Sequence, residues 1–139
     1  MTLEEALDAL SARIEPGRAD GMAKYHKRKR EYLGIANPDV NELTKNWRSD
    51  LDVNSCVRLA KELWDTEIFE ARLAASKLLT QARIRPDDAA WELIKSWVPD
   101  FDSCAIADHA CIAGQKRLVA DPIRLDEIEA WTTSDHMWT

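Results

Sequence analysis

The 139-residue sequence contains no long apolar run, and its beginning lacks the basic and then apolar order of a signal peptide. We therefore expect a chain without a membrane span that acts in the cytoplasm. Three cysteines without paired spacing do not predict a disulfide framework, and three histidines without ligand spacing predict no metal site. No phosphate-binding glycine loop or serine nucleophile motif is present, so most familiar enzyme classes are unsupported and no cofactor is expected.

The formal net charge of −6 by itself argues against nucleic acid, because affinity for phosphate comes largely from Lys and Arg. However, the charge is unevenly distributed along the chain. Residues 18–48 contain eight Lys or Arg and four Asp or Glu, a local balance of +4. The positive charge is therefore concentrated in one early segment, and nucleic acid stays a candidate partner.

Glycine and proline are scarce, with four and five residues, and no run alternates apolar and polar residues as a strand does. Apolar residues instead recur every three or four positions, which predicts eight helices joined by short turns. Specific start signals are the capping box of Thr2 with Glu5, Asn37 before Pro38, and Asp52. The predicted helices are 3–14, 19–29, one from Asn37, one from Asp52, one after 65–66, one from 85–87, one from Asp100 or Asp102 to 118, and 123–131.

This pattern predicts an all-α fold in a single domain over 1–139. Short helices with short connections are typical of antiparallel pairs stacked as a helical solenoid, because each pair then buries its apolar stripe against its neighbours. A compact bundle is the alternative. We expect most of the six tryptophans to pack in the core and one or two to line a cleft.

The most basic stretch is 24–30, where five Lys or Arg residues surround a tyrosine. In one interpretation Lys24, Lys27 and Arg28 contact phosphates and Tyr25 packs on the sugar-phosphate chain. In the other, the stretch is a solvated helix face. The sequence alone leaves both open.

One acidic residue stands out in the segment 100–109. On a helix, positions 101, 104, 105 and 108 share one face, so we expect Asp108 one turn beyond Cys104 on an otherwise apolar stripe. Such a carboxylate either caps a neighbouring helix or pairs with an arginine, or it stabilises positive charge that develops in a cleft.

Three stretches resemble one known family. Residues 21–38, with Met-Ala-Lys-Tyr-His-Lys, Tyr-Leu-Gly-Ile and Asn-Pro, resemble its opening motif MAxYMKxxFxFLGIxTP. Residues 62–65, Glu-Leu-Trp-Asp, and 70–75, Glu-Ala-Arg-Leu-Ala-Ala, resemble its ELWDLPEREFQxAAL stretch, and 134–138, Ser-Asp-His-Met-Trp, resembles SDNxW. The chain thus resembles the N-terminal part of the DNA alkylation repair enzyme family, the AlkD-like DNA glycosylases.

The resemblance implies an all-helical superhelix of HEAT-like repeats with a basic concave surface, incomplete at its C-terminus here. The implied activity is excision of N3- and N7-alkylated purines from duplex DNA. In the family's WDxVD pattern a tryptophan precedes the catalytic aspartate by four residues, and these positions correspond to Cys104 and Asp108. The family also has an arginine three residues beyond the tryptophan matching Trp138. Because that position is missing and Cys104 replaces the tryptophan, we expect weak or absent catalysis by these residues alone.

By resemblance, then, Asp108 is the catalytic carboxylate, and the partner is duplex DNA with alkylated bases, without metal, cofactor or membrane. The residues implied to contact DNA are Lys24, Tyr25, Lys27, Arg28, Cys104 and Trp138. The alternative is a non-catalytic HEAT-like module that binds DNA or protein through the same groove, which the cysteine at position 104 favours.

Overall fold

The computed structural model describes residues 1–26, 29–81, 83–136 and 139. These residues form eight α-helices and two short 3-10 turns, Val98–Asp100 and Pro122–Arg124, and no strand. The all-helical prediction is confirmed. The helices are α1 Leu3–Ser11, α2 Arg18–His26, α3 Asn37–Asp50, α4 Val53–Asp65, α5 Phe69–Leu78, α6 Asp88–Trp97, α7 Cys104–Ala120 and α8 Leu125–Trp131.

Capping residues close by in the sequence determine the starts of several helices. The predicted capping box is present, because the Thr2 side chain accepts from the Glu5 N–H and the Glu5 carboxylate accepts from the Thr2 N–H. Asp52 caps α4 by accepting from the Ser55 N–H at 2.7 Å. The N-cap of α3 is Ala36, one residue before the predicted Asn37, and the following proline occupies the first helical turn.

The predicted start of the seventh helix, at Asp100 or Asp102, lies slightly too early, because tertiary contacts engage both of these side chains. Neither Asp100 nor Asp102 begins α7, whose N-cap is Ser103. Asp100 accepts a hydrogen bond from Trp64 Nε1, and Asp102 forms an ion pair with Arg30. The first helix also ends earlier than predicted, and the last begins later, after a 3-10 turn.

Helix α5 lies at the centre of the molecule. Every residue of it except Lys77 is buried, and it packs against α3, α4 and α7. Alanines at 71, 74 and 75 allow these helices a close approach. Helix α6 packs in turn on α7 and α4, with the Trp64 and Trp97 rings stacked at 4.4 Å between centroids. The alternate helices α3, α5 and α7 therefore lie in one continuous row, with α5 in the middle.

The predicted core role of the tryptophans is confirmed for four of them. Those four are Trp47, Trp64, Trp91 and Trp97. Trp131 is half-buried and lines an apolar cavity of about 280 Å³ beside α7, together with Trp91. Trp138 lies outside the described residues. In the described part of the chain, no helix is both long and apolar enough to cross a membrane.

A carboxylate clamp fixes the start of α6 to the end of α7. Both carboxylate oxygens of Asp87 accept from Arg124 at 2.9 Å, and one also accepts from the fully buried Arg117 at 3.0 Å. Arg124 in addition donates to the Arg117 carbonyl at 2.8 Å. Hydrogen bonds from Arg124 are the largest cause that holds the pKa of Asp87 below its ordinary value.

This clamp predicts a pH-dependent contribution to stability. A carboxylate with a lowered folded pKa stabilises the fold above its unfolded pKa, and the stabilisation is lost as the pH falls through the folded pKa. We expect Asp87→Asn to lower the free energy of unfolding by about 2 kcal/mol at pH 7, and by clearly less near pH 3. Urea unfolding at the two pH values measures the difference. Asp126→Asn, at an exposed position of α8, is the control with little effect; equal losses for Asp87→Asn at both pH values would refute the clamp.

Candidate nucleic-acid interface

The exposed residues of α7 include Cys104, Asp108 and Cys111, which follow one another at intervals of about one turn. The buried face consists of Ile106, Ala107, Ala110, Ala113 and Arg117. The expectation that Asp108 lies on an apolar stripe with Phe101 is therefore wrong. Phe101 precedes the helix and does not follow its period, and the side of α7 that packs on α5 and α6 is the opposite one.

The structure brings Asp108 no protein partner. Within the described residues its carboxylate makes no hydrogen bond or ion pair, so it neither caps a neighbouring helix nor pairs with an arginine there. Its negative charge reaches the Cys111 thiol, whose pKa is raised first by desolvation and second by Asp108. Asp108 is thus an exposed carboxylate available to a ligand on the α7 surface.

The first part of the basic stretch lies at the end of α2. Lys24 and Tyr25 are exposed, and the Tyr25 side chain is 82% accessible with its ring edge against His26. Lys27 and Arg28 lie outside the described residues. No hydrogen bond, ion pair or ring contact joins Lys24 or Tyr25 to Asp108 in the described part.

An ion pair links the basic stretch to the segment that precedes α7. The Arg30 guanidinium, about nine-tenths buried, pairs with Asp102, two residues before the helix that contains Asp108. Burial of a long cationic side chain against one carboxylate fixes the path of the chain at that point. The two parts of the predicted site are therefore connected, although they are far apart in sequence.

A second carboxylate, Glu70 of α5, holds the loop after the basic stretch. It is fully buried and accepts from three successive backbone N–H groups, Leu33 at 2.9 Å, Gly34 at 2.8 Å and Ile35 at 3.0 Å. Gly34 has φ of +89°, and a Cβ there would meet the Ala19 nitrogen at 2.9 Å, so only glycine fits. The α5 carboxylate thus anchors the backbone of this loop.

A hollow of about 340 Å³ lies in the row of α3, α5 and α7. We call it the cationic hollow, because Lys45, Arg48, Lys77 and His109 line it and no carboxylate does. Ile112, at its rim, is one turn beyond Asp108 on the same helix. Sequence reasoning missed the hollow, since Lys45 and Arg48 come from α3 whereas Lys77 comes from α5, outside the basic segment 18–48.

Within the described residues, no group of three or more His, Cys, Asp or Glu could hold a metal ion. The arrangement instead offers an exposed carboxylate beside cationic side chains. Such a surface suits a ligand that has both phosphate groups and a centre of positive charge.

Fold and surface together define an all-helical protein with an acidic residue set beside a cationic surface. The comparison with protein families is more specific: the family described as DNA alkylation repair enzyme matches residues 6–139. The chain belongs to this family, and DNA is therefore the substrate that the family suggests. No curated protein and no solved structure matches the chain.

Proposed function

We propose that the chain acts in DNA repair as an alkylpurine DNA glycosylase that excises N3- and N7-alkylated purines from duplex DNA. One observation supports this most: Asp108, at the position of the family's catalytic aspartate, is exposed and free of protein partners next to the cationic hollow.

The chemistry that we propose needs one carboxylate. An alkylated purine has a positive charge, so the bond from the sugar C1′ to the base breaks with its electron pair leaving on the base. The sugar then becomes an oxocarbenium-like cation, which the Asp108 carboxylate stabilises electrostatically. Water adds to C1′ and releases a proton, which leaves an abasic site.

The other site residues are proposed to contact the DNA. Lys24 and Tyr25 are exposed and available to the sugar-phosphate chain. Lys27, Arg28 and Trp138 are proposed for the same role from the sequence and the resemblance. Cys104 lies one turn before Asp108, on the same exposed face. A cysteine excludes less water from the sugar than a tryptophan would, so we expect slow release.

The proposed arrangement of the helices is a HEAT-like solenoid in a single domain over 1–139. Support comes from the packing of α4 on α5 and of α6 on α7, and from the continuous row of α3, α5 and α7. The cytoplasmic location expected from the sequence stays a prediction.

Single-turnover release of 7-methylguanine from a methylated duplex tests the proposed activity. With protein in excess, we expect release above the rate of the same duplex without protein. Undamaged duplex should release no base. Release at the protein-free rate, from a chain that binds the duplex, would contradict the glycosylase assignment.

The exposed Cys104 favours a second candidate, a non-catalytic HEAT-like module that binds DNA or protein. Its expected signature is salt-dependent binding to undamaged duplex with no base release. If only substitutions of acidic residues weaken binding, the partner is a protein.

A further inference from the structure

The cationic hollow has a one-sided charge balance. Some cations of the molecule pair with carboxylates, such as Lys61 with Asp65 at 2.9 Å and Arg13 with Asp39 at 2.9 Å. In the hollow, by contrast, Lys45, Arg48 and Lys77 form no ion pair with a described carboxylate although they line one space. Positive charges gathered around one space favour an anion from outside.

One of these cations, Arg48, is held in place by the fold. Arg48 Nη1 donates to the Lys77 carbonyl at 2.7 Å, which fixes the guanidinium between α3 and α5. The pKa of the Lys77 ammonium is lowered, first by burial and second by Arg48. An anion between the two groups would offset both effects, because it neutralises the repulsion and favours the charged form of Lys77.

The α7 wall of the hollow contributes His109. Its Nδ1 donates to the Ala105 carbonyl at 2.7 Å, so the orientation of the ring on the α7 wall is fixed. Arginine and lysine donors around a preformed space are the groups that bind phosphate in proteins. The volume of about 340 Å³ admits a phosphate group together with bridging water.

We propose that the cationic hollow binds one phosphodiester of the DNA backbone, held by Arg48 and Lys77 with Lys45 at its rim. This inference rests on the proposed function, which it makes more specific. Side chains one turn apart on a helix are about 5–6 Å apart, so Ile112 places the hollow next to Asp108. A strand whose phosphate lies in the hollow therefore presents a neighbouring sugar to that carboxylate.

The salt dependence of duplex binding tests the phosphate contact. We expect Lys77→Met to weaken binding about tenfold at low salt and to reduce the slope of log affinity against log salt by about 1, equally for all sequences. Methionine keeps the half-buried stem packed, so folding is preserved. Lys61→Met, which removes the same charge from α4, is the matched control, with a change below about twofold. If Lys77→Met behaves like Lys61→Met while both variants and the wild type bind duplex, the hollow is not a phosphate site and the proposed function is unaffected.

Inorganic phosphate distinguishes a backbone phosphate from a free anion. We expect phosphate to shift the His109 imidazole resonances in the wild type and not in Lys77→Met, and to compete with duplex binding. Binding of phosphate without competition against duplex would make the hollow a small-anion site and overturn the backbone assignment. A wild type that binds no duplex at all would count against the proposed function and this inference together.

Discussion

Asp108→Asn is expected to lower the single-turnover rate of 7-methylguanine release by about 100-fold. The asparagine has nearly the same shape as the aspartate but no negative charge, so the developing cation on the sugar loses its stabilising partner. Because Asp108 has no partner among the described residues, its replacement leaves no arginine or backbone N–H unsatisfied and the fold should be unchanged. The effect should therefore be on the rate alone.

Duplex affinity separates this effect from a general loss of binding. Removal of a negative charge beside the DNA should leave affinity the same or slightly higher, while the rate falls. Asp126→Asn, an exposed carboxylate at the start of α8, is the matched control and should release the base at the wild-type rate. A rate that stays unchanged in Asp108→Asn would remove this residue from the chemistry.

Glu70→Ala is expected to lower the free energy of unfolding by about 4 kcal/mol. The substitution leaves three backbone N–H groups, those of Leu33, Gly34 and Ile35, without their acceptor, and it opens a space in the fully buried first turn of α5. Duplex affinity should fall as well at temperatures where the variant is folded. The reason is that this loop follows directly on the basic stretch that includes Arg30.

Urea unfolding monitored by tryptophan fluorescence measures the loss in Glu70→Ala. Glu129→Ala, at an exposed position of α8, should change stability by less than about 0.5 kcal/mol. Glu70→Gln keeps one acceptor oxygen and the side-chain volume, so it should lie between the wild type and Glu70→Ala. Were Glu70→Ala as stable as Glu129→Ala, the carboxylate would not be what holds the loop.

The sequence predicts well those helix starts that depend on residues close together in the chain. The capping box at Thr2 and the Asp52 cap involve residues three positions apart, so the spacing alone identifies them. The start of α7 could not be found in this way. Asp100 and Asp102 are both residue types that commonly cap helices. In the folded chain, however, Trp64 donates to Asp100 and Arg30 pairs with Asp102, so neither side chain caps α7.

In the candidate site, too, local sequence features are predictable, whereas features that depend on tertiary packing are not. The helical spacing and the resemblance both single out Asp108, but which way it faces depends on how α7 packs on α5 and α6. Nothing in the sequence marks Glu70 as the acceptor for a loop 35 to 37 residues earlier. The cationic hollow likewise joins α3, α5 and α7, whose side chains meet only after folding.

The alkylation rate of Cys104 is the most direct test of the claim that DNA lies on this face of α7. Cys104 is exposed one turn before Asp108, whereas Cys56 is buried, so Cys111→Ser leaves Cys104 as the one exposed thiol. A thiol introduced by Ser11→Cys at the end of α1, in a chain without Cys104 and Cys111, serves as the control. Our account predicts that saturating duplex slows alkylation of Cys104 several-fold, that high salt restores the rate, and that the thiol at position 11 is unaffected. Alkylation of Cys104 at an unchanged rate in the saturated complex would contradict it.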